Sequence, residues 1–265
     1  MVTSRFSALF PKPKPLIGMV ALRPSPGYPA FTSIDAIIDA ALADLDALQE
    51  GGVDAVLVEN DFDLPHTLIA GAEVAASMTR VTREVVSRAR VPVGVEVLLN
   101  DWRASLAVAA ATGARFIRLD FFVDRVRSKL GVIEPEPAAV VAYRRAIRAE
   151  SVLIFTDLQV KYSSPMDGPK PIEQSAREAA LAGADAVIVT GSETGIGPSI
   201  ADLRSARAGG VPVLIGSGLS PANAAELAPN ADGYIVGTSL RSGRTATDHV
   251  VTAQVAALVR AIRAS

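Results

Sequence analysis

Short runs of apolar, largely β-branched residues alternate along the chain with longer Ala-rich stretches of helical period, the pattern of parallel βα units. Eight runs are predicted strands: Leu16–Val20, Ala55–Val58, Val93–Val97, Phe116–Leu119, Val152–Thr156, Ala186–Thr190, Val213–Ile215 and Gly233–Val236. Helices are predicted over Ser33–Glu50, Gly71–Ala89, Asp101–Thr112, Pro137–Glu150, Ile172–Ala182, Ile200–Ala208, Pro221–Leu227 and Thr247–Ala264. Most strands are nearly continuous apolar runs, as expected where helices cover one face and a barrel interior the other. A phrase of helix, Gly, acidic or small residue, strand recurs as GGVDAVLV at Gly51, ATGARFIRL at Ala111 and LAGADAVIV at Leu181. A Gly in each can close its helix in the left-handed conformation. Val91-Pro92 and Val211-Pro212 precede two strands, where Pro halts the helix and holds the residue before it extended. About 33 residues per unit is the size of one repeat of a (β/α)8 barrel. A doubly wound open sheet would carry its Gly-rich loop after strand one, but that strand runs into Met19-Val20-Ala21-Leu22-Arg23-Pro24 with no GxGxxG. The expected fold is α/β, a single (β/α)8 TIM barrel over residues 1–265 with residues 1–15 as an N-terminal arm.

In such barrels chemistry sits on the face made by the βα loops, so polar residues at strand C-termini carry the information. Strand two ends in Glu59-Asn60-Asp61, followed by Asp63, Pro65 and His66. Strand three carries Glu96 in an apolar run. Alternation puts Gly94 and Glu96 on one face and Val93, Val95 and Val97 on the other, so Glu96 is expected inside the barrel. The same parity places Arg118 inside, between Phe116 and Asp120 and beside Glu96. In strand five Leu153, Phe155, Asp157, Gln159 and Lys161 share a face, and the three polar groups climb toward the mouth if the strand stays extended. Lys161 is one of five lysines against 21 arginines; it suits an imine-forming nucleophile or a point charge for an anion. The candidate catalytic residues are therefore Glu59, Glu96, Arg118, Asp157 and Lys161. A Glu96–Arg118 pair is equally explained as a structural layer of the core, because a buried charge must be paired. His66 is a weaker candidate base, and His249, at the opening of the last predicted helix, reads as a surface residue. Glu59, Glu96, Asp120 and Asp157 are also groups a magnesium ion would seek. Salt bridges to Arg118 and Lys161 explain them as well, and no HxH or HExxH spacing supports zinc. No metal or cofactor is expected.

The last three strands end differently, in Thr190-Gly191-Ser192-Glu193-Thr194-Gly195, Gly216-Ser217-Gly218 and Gly237-Thr238-Ser239. Glycines let the backbone approach an anion, and hydroxyls and main-chain N–H groups donate to it. Paired Gly-rich loops after strands seven and eight are where phosphate-binding barrels hold their ligand. The expected phosphate-binding set is Thr190, Gly191, Thr194, Gly195, Gly216, Ser217, Gly218, Gly237, Thr238 and Ser239. Ser220-Pro221 reads as an N-cap and first helical residue, whose helix terminus would favour the anion. The competing reading is that these glycines only make tight turns. Ser217 is no nucleophile elbow, since Gly-Ser-Gly lacks the flanking GxSxG.

Charge and composition narrow the partners. Lys and Arg number 26 and Asp and Glu 28, a net charge of −2, so nothing points to a nucleic-acid groove or a cationic membrane patch. No apolar run approaches the roughly 18–20 residues of a membrane-spanning helix. With no cysteine, a disulfide framework, thiolate catalysis and Cys-ligated metal are excluded. The opening MVTSRFSALFPKPKP has no apolar signal core and no small-residue cleavage site, so a cytoplasmic protein is expected. Its expected partner is a small phosphorylated molecule, and Ala-rich helix faces allow a homo-oligomer.

The phrases PLIGMVALRPSPGYP at Pro15, DAVLVENDFDLP at Asp54, AAATGARFIRLD at Ala109, TDLQVKYSSPM at Thr156, ADAVIVTGSETG at Ala184, PVLIGSGLSPAN at Pro212 and ADGYIVGTSLR at Ala231 resemble, in order, those of the BtpA/SgcQ family. The resemblance runs from about Pro15 to His249. It implies a TIM barrel related to the ribulose-phosphate-binding group. It also links the chain to two settings: photosystem I accumulation, which gave the family its name, and the sugar-utilisation gene sets of SgcQ-type members. Three positions depart from the family pattern: Ala21 and Tyr162 stand where His is usual, and Asp120 where Asn is usual. The functional expectation is an enzyme, an isomerase or lyase, acting on a small phosphorylated, sugar-like substrate. The alternative is a non-enzymatic assembly or stability factor for a larger complex, as in photosystem I biogenesis.

Overall fold

The computed structural model describes residues 4–191 and 196–265. Eight parallel strands close into a barrel: β1 (Leu16–Ala21), β2 (Ala55–Glu59), β3 (Val93–Glu96), β4 (Phe116–Leu119), β5 (Leu153–Leu158), β6 (Ala186–Val189), β7 (Val213–Ile215) and β8 (Gly233–Val236). Each pairs with its sequence neighbour, and β8 returns to β1 with Leu16 opposite Tyr234. Helices follow the strands as expected of a (β/α)8 TIM barrel, the longest being Ile34–Gly51 and Ala72–Arg88. Gly52 and Gly113, at φ 96 and 90, close the helices before β2 and β4, and Gly183, at φ 100, lies between helix Ile172–Leu181 and β6. Ser33 and Asp101 cap helix N-termini through side-chain oxygens that accept from Ala36 and Ala104.

The recurring acidic residue ahead of a strand has a specific task. Asp54, Asp185 and Asp232 each accept a hydrogen bond from a main-chain N–H at the start of the preceding strand, that of Leu16, Ile154 and Val213 respectively. Each also donates its own N–H to that strand's neighbourhood, Asp54 to the carbonyl of Leu16 at 2.8 Å. One side chain thus satisfies a donor at the barrel's base that would otherwise face no partner.

Two apolar layers follow from strand parity. Val56, Val95, Ile117 and Val187 face outward onto the helices, whereas Leu57, Phe116, Phe155 and Ile188 fill the barrel. Gly94 is the small partner that makes room: a Cβ there would lie 2.1 Å from Phe116 Cε2. That ring stacks on Phe155 at 4.8 Å between centroids. The N-terminal arm contributes to the same interior. A short helix, Arg5–Leu9, places Phe6 and Phe10 among the barrel's inner side chains, and Arg5 pairs with Asp185 at 2.9 Å.

The structure departs from the expected elements in several places, of which these bear on the barrel mouth and the chain end. Strand β6 stops at Val189, so Thr190 belongs to the loop. Helix Thr252–Arg263 begins five residues later than predicted and leaves the exposed His249 in the preceding loop. The helix after β7 is a single turn, Ala224–Leu227, and Ser220 does not cap it. Asn223 is the reason: its Oδ1 accepts from Ser220 N, its Nδ2 donates to Gly218 O, and the loop stays open for three more residues. Finally, a three-stranded antiparallel sheet of Val126–Ser128, Gly131–Ile133 and Ser164–Pro165 joins the loops after β4 and β5. Phe121, Val126, Ile133 and Val160 form its own small core.

Two substitutions test this account. Gly94→Ala is expected to lower stability by about 1–3 kcal/mol in chemical denaturation, because Phe116 is held between Phe10 and Phe155 and has nowhere to retreat. Asp185→Ala strands the Ile154 N–H together with Arg5 and Arg144. It is expected to cost about 2–4 kcal/mol and to expose the N-terminal segment to limited proteolysis; a wild-type digestion pattern counts against the clamp.

Candidate functional site

At the C-terminal ends of the strands the barrel opens into a cavity of about 1190 Å³. Its floor is built by strand alternation. Ala21, Glu59 and Glu96 are register partners across β1, β2 and β3, so all three side chains face the same way. Arg118 rises from β4 above Phe116, and Asp157 from β5 above Phe155. The Arg118 Nε and Nη2 donate to the two carboxylate oxygens of Asp157 at 2.8 and 3.0 Å, a fork-to-fork pair. Glu96 Oε2 lies 3.5 Å from Arg118 Nη1 as a looser ion pair. Glu59, Glu96, Arg118 and Lys161 line the cavity, while Asp157 lies beneath, 2% exposed, with both oxygens engaged.

The electrostatics follow from four carboxyl groups, Glu59, Glu96, Asp120 and Asp157, around one buried guanidinium. Burial pushes Glu59 up to about 8, with the negative charges of Asp61 and Asp120 adding to it and Arg118 opposing. Burial likewise raises Glu96 well above the usual carboxylate range, although Arg118 pulls it back. Asp120 is raised by burial and by the charges of Glu96 and Asp157. For Arg118 burial disfavours the charge, but Asp157 and Glu96 outweigh it and the guanidinium stays protonated. The Glu59 and Glu96 carboxyls face each other within hydrogen-bonding reach once one holds a proton. As ionised groups, Glu59 Oε2 and both oxygens of Glu96 are buried without a hydrogen-bond partner. Among the described residues no three His, Cys, Asp or Glu side chains converge as metal ligands.

The expected rise of three polar groups along β5 ends early. Gln159 turns into the left-handed region at φ 48, and its amide leaves the barrel for Lys170 O and Ser175 Oγ. Lys161 reaches the mouth from the loop beyond. Lys170 is spent on structure, donating to Asp124 and Glu178. The Glu59-Asn60 pair also divides: Asn60 braces loops by accepting from Leu98 N and donating to Asp63, which in turn accepts from Ser25 N.

On the opposite wall Gly216, Ser217, Gly218, Gly237, Thr238 and Ser239 line the cavity. Thr190 and Gly191 do not. The Thr190 hydroxyl is buried without a partner, and a Cβ on Gly191 would strike the Ile196 carbonyl at 2.1 Å. Gly218, at φ 74, approaches Gly197 just as closely. These glycines interlock the loops after β6 and β7. Thr194 and Gly195 lie outside the described residues. Ser239 Oγ donates to Leu219 O, tying the loops after β7 and β8 together.

Sequence reasoning undervalued two residues. His66 lines the cavity; burial lowers its pKa against the opposing charge of Asp61, and Nε2 is buried without a partner. Arg241 was missed because its anchor is remote in the chain: Nη1 donates to Asp44 of helix Ile34–Gly51 at 2.9 Å, and both side chains are buried. Asp44 also accepts from Val250 N, which pins the segment after β8. Only the pairing of a buried Asp on a helix face with a distant Arg could have signalled it.

Known proteins bear on this geometry. Among solved structures, tryptophan synthase of Mycobacterium tuberculosis superposes with a TM-score of 0.63 at 18% identity, covering 98% of this chain and 96% of that one; at this identity the likeness speaks for the barrel alone. An uncharacterised protein of Archaeoglobus fulgidus is 37% identical over 231 residues, 87% of this chain and 92% of its own. The photosystem I biogenesis protein BtpA of Synechocystis is 32% identical over 252 residues, 94% of this chain and 88% of its own. Residues 12–264 match the BtpA family as a whole, and the chain belongs to that family.

Proposed function

We propose that the protein is an enzyme that moves protons on a small phosphorylated, sugar-like substrate, an isomerase-type reaction. The observation that carries this is a carboxyl group, Glu59, held near neutrality inside a cavity whose far wall is made of Gly- and hydroxyl-rich loops. A general base works best when its pKa lies near the ambient pH. Glu59 exchanges the proton, with Glu96 as its partner across β2 and β3. Asp157, with both oxygens on Arg118, orients that guanidinium rather than acting as acid or base. The substrate phosphate sits on Gly216–Gly218 and Gly237–Ser239, where main-chain N–H groups and the Thr238 hydroxyl donate to it. Lys161 at the rim stabilises negative charge that develops on the substrate.

The test is deuterium exchange: aldose and ketose phosphates are incubated in D2O and followed by NMR. Exchange at the carbon next to the carbonyl is expected, its kcat/KM rising with pH through about 8 as Glu59 ionises. Glu59→Gln is expected to slow it by about 10²–10⁴-fold. No exchange with any sugar phosphate, or full exchange in Glu59→Gln, overturns the reading. An assembly role of the kind named for the Synechocystis relative needs no proton-holding group in the mouth, so a wild-type cellular phenotype in Glu59→Gln favours it instead.

Stability carries the same signature. In the unfolded chain Glu59 ionises near its ordinary 4.5, and in the folded protein near 8. Between those values the folded state holds the extra proton, so this contribution is complete below about 4.5 and is lost as pH rises through 8. Glu59→Gln is expected to flatten the decline and to make the variant more stable than wild type at pH 9 by roughly 2–5 kcal/mol in urea denaturation. Parallel pH profiles for the two proteins count against a protonated Glu59.

A further inference from the structure

On the barrel floor carboxyl groups outnumber positive charges. Four carboxyls, Glu59, Glu96, Asp120 and Asp157, stand with Arg118 and the more distant Lys161. Arg118 is committed to Asp157 by two hydrogen bonds, and its contact with Glu96 is a 3.5 Å ion pair only. Glu59 and Glu96 are 6% and 2% exposed, line the cavity, and hold three oxygens with no hydrogen-bond partner. Their register neighbour on β1 is Ala21, which also lines the cavity and offers nothing polar. A buried polar atom left unmade costs about 1–3 kcal/mol, more for a charged group.

We infer that the facing carboxyls of Glu59 and Glu96 form a subsite for a protonated amine, so that the substrate is a phosphorylated amine, anionic at the β7 and β8 loops and cationic at the β2 and β3 floor. This rests on the phosphate reading above and names the substrate class within it. An ammonium carries three donors and no acceptor; three carboxylate oxygens without a hydrogen bond, one of them in the loose ion pair with Arg118, are its complement. A hydroxyl brings one donor and no charge. Without such a ligand the pair keeps its charge down by retaining protons, which agrees with the raised Glu59 and Glu96. With it both carboxyls can ionise, and a proton must leave. Asp61, Arg118, Asp120 and Asp157 bear on the same pair; the carboxylates among them also favour the cation, and Arg118 opposes it while remaining neutralised by Asp157.

Matched ligands test this on the full chain by isothermal titration calorimetry at pH 7. Inorganic phosphate, ethanolamine, phosphoethanolamine against glycol phosphate, and glucosamine 6-phosphate against glucose 6-phosphate are each titrated in two buffers of different ionisation enthalpy. At least one amine is expected to bind about tenfold tighter than its hydroxyl counterpart and to release about one proton, from the shift that ionises the pair. Glu96→Gln is expected to abolish the amine's advantage while leaving inorganic phosphate binding unchanged. Equal affinities within both pairs, or amine binding with no proton release, overturn the inference while phosphate binding survives. Ethanolamine binding with proton release but no phosphate binding supports the amine subsite and removes the phosphate reading. Binding of nothing removes both. Proton release by magnesium or manganese chloride alone, with no amine advantage, assigns the pair to a metal and also overturns it.

Discussion

Arg118 stands where the apolar filling of the barrel ends and the open mouth begins. Beneath it Phe116 and Phe155 are stacked; above it lies the cavity. A guanidinium stripped of water at that level persists only because Asp157 takes two of its N–H groups in a matched fork and Glu96 lies close by. The pair is what allows polar side chains to occupy the upper barrel at all. It also sets a limit. Once Asp157 has been matched, Arg118 has little left to give, and the remaining carboxyls must either hold protons or wait for charge brought from outside.

That floor was legible in the sequence because alternation along a strand is imposed by covalent geometry. Gly94 and Glu96, Phe116 and Arg118, Phe155 and Asp157 all fall on the inner face as the period of two requires. The reasoning holds only while the backbone stays extended. At Gln159 it turns to φ 48, parity is lost, and nothing local to the residue distinguishes it from its predecessors. The hydrogen bonds that reward the turn come from Lys170 and Ser175, more than ten residues on. The small sheet over the mouth was hidden for a related reason. Its strands are two or three residues long and partly exposed, too short for any period, and one pairing joins Arg127 to Ser164. The N-terminal helix has five residues, and its burial of Phe6 is a tertiary fact.

The glycine-rich loops show how one residue type can serve two ends. Gly191 and Gly218 are needed because backbones meet there: a Cβ on either would collide with main-chain atoms of Ile196 or Gly197. That is packing, and it needs no ligand. Gly216 is different in part. A Cβ there would meet Ile188 and Thr190 and lie 3.5 Å from Arg118 Nη2, so its smallness joins the cavity-lining loop after β7 to the charged floor. Composition alone treats these glycines as one set; the contacts divide them.

The near-balance of charge in the whole chain conceals an imbalance in its interior. On the surface, excess carboxylate is answered by water and salt. Inside the barrel it is answered by protonation, because desolvation penalises each ionised group and the penalties compound through mutual repulsion. A proton is a labile counter-ion, and a ligand that brings its own charge can replace it. A neutral ligand cannot, and it must bind against carboxyls that remain protonated. The same desolvation that raises Glu59 to about 8 is therefore the physical ground for both the proposed base and the proposed amine subsite. On that reading recognition and proton transfer draw on one physical cause, and a change at either glutamate alters both.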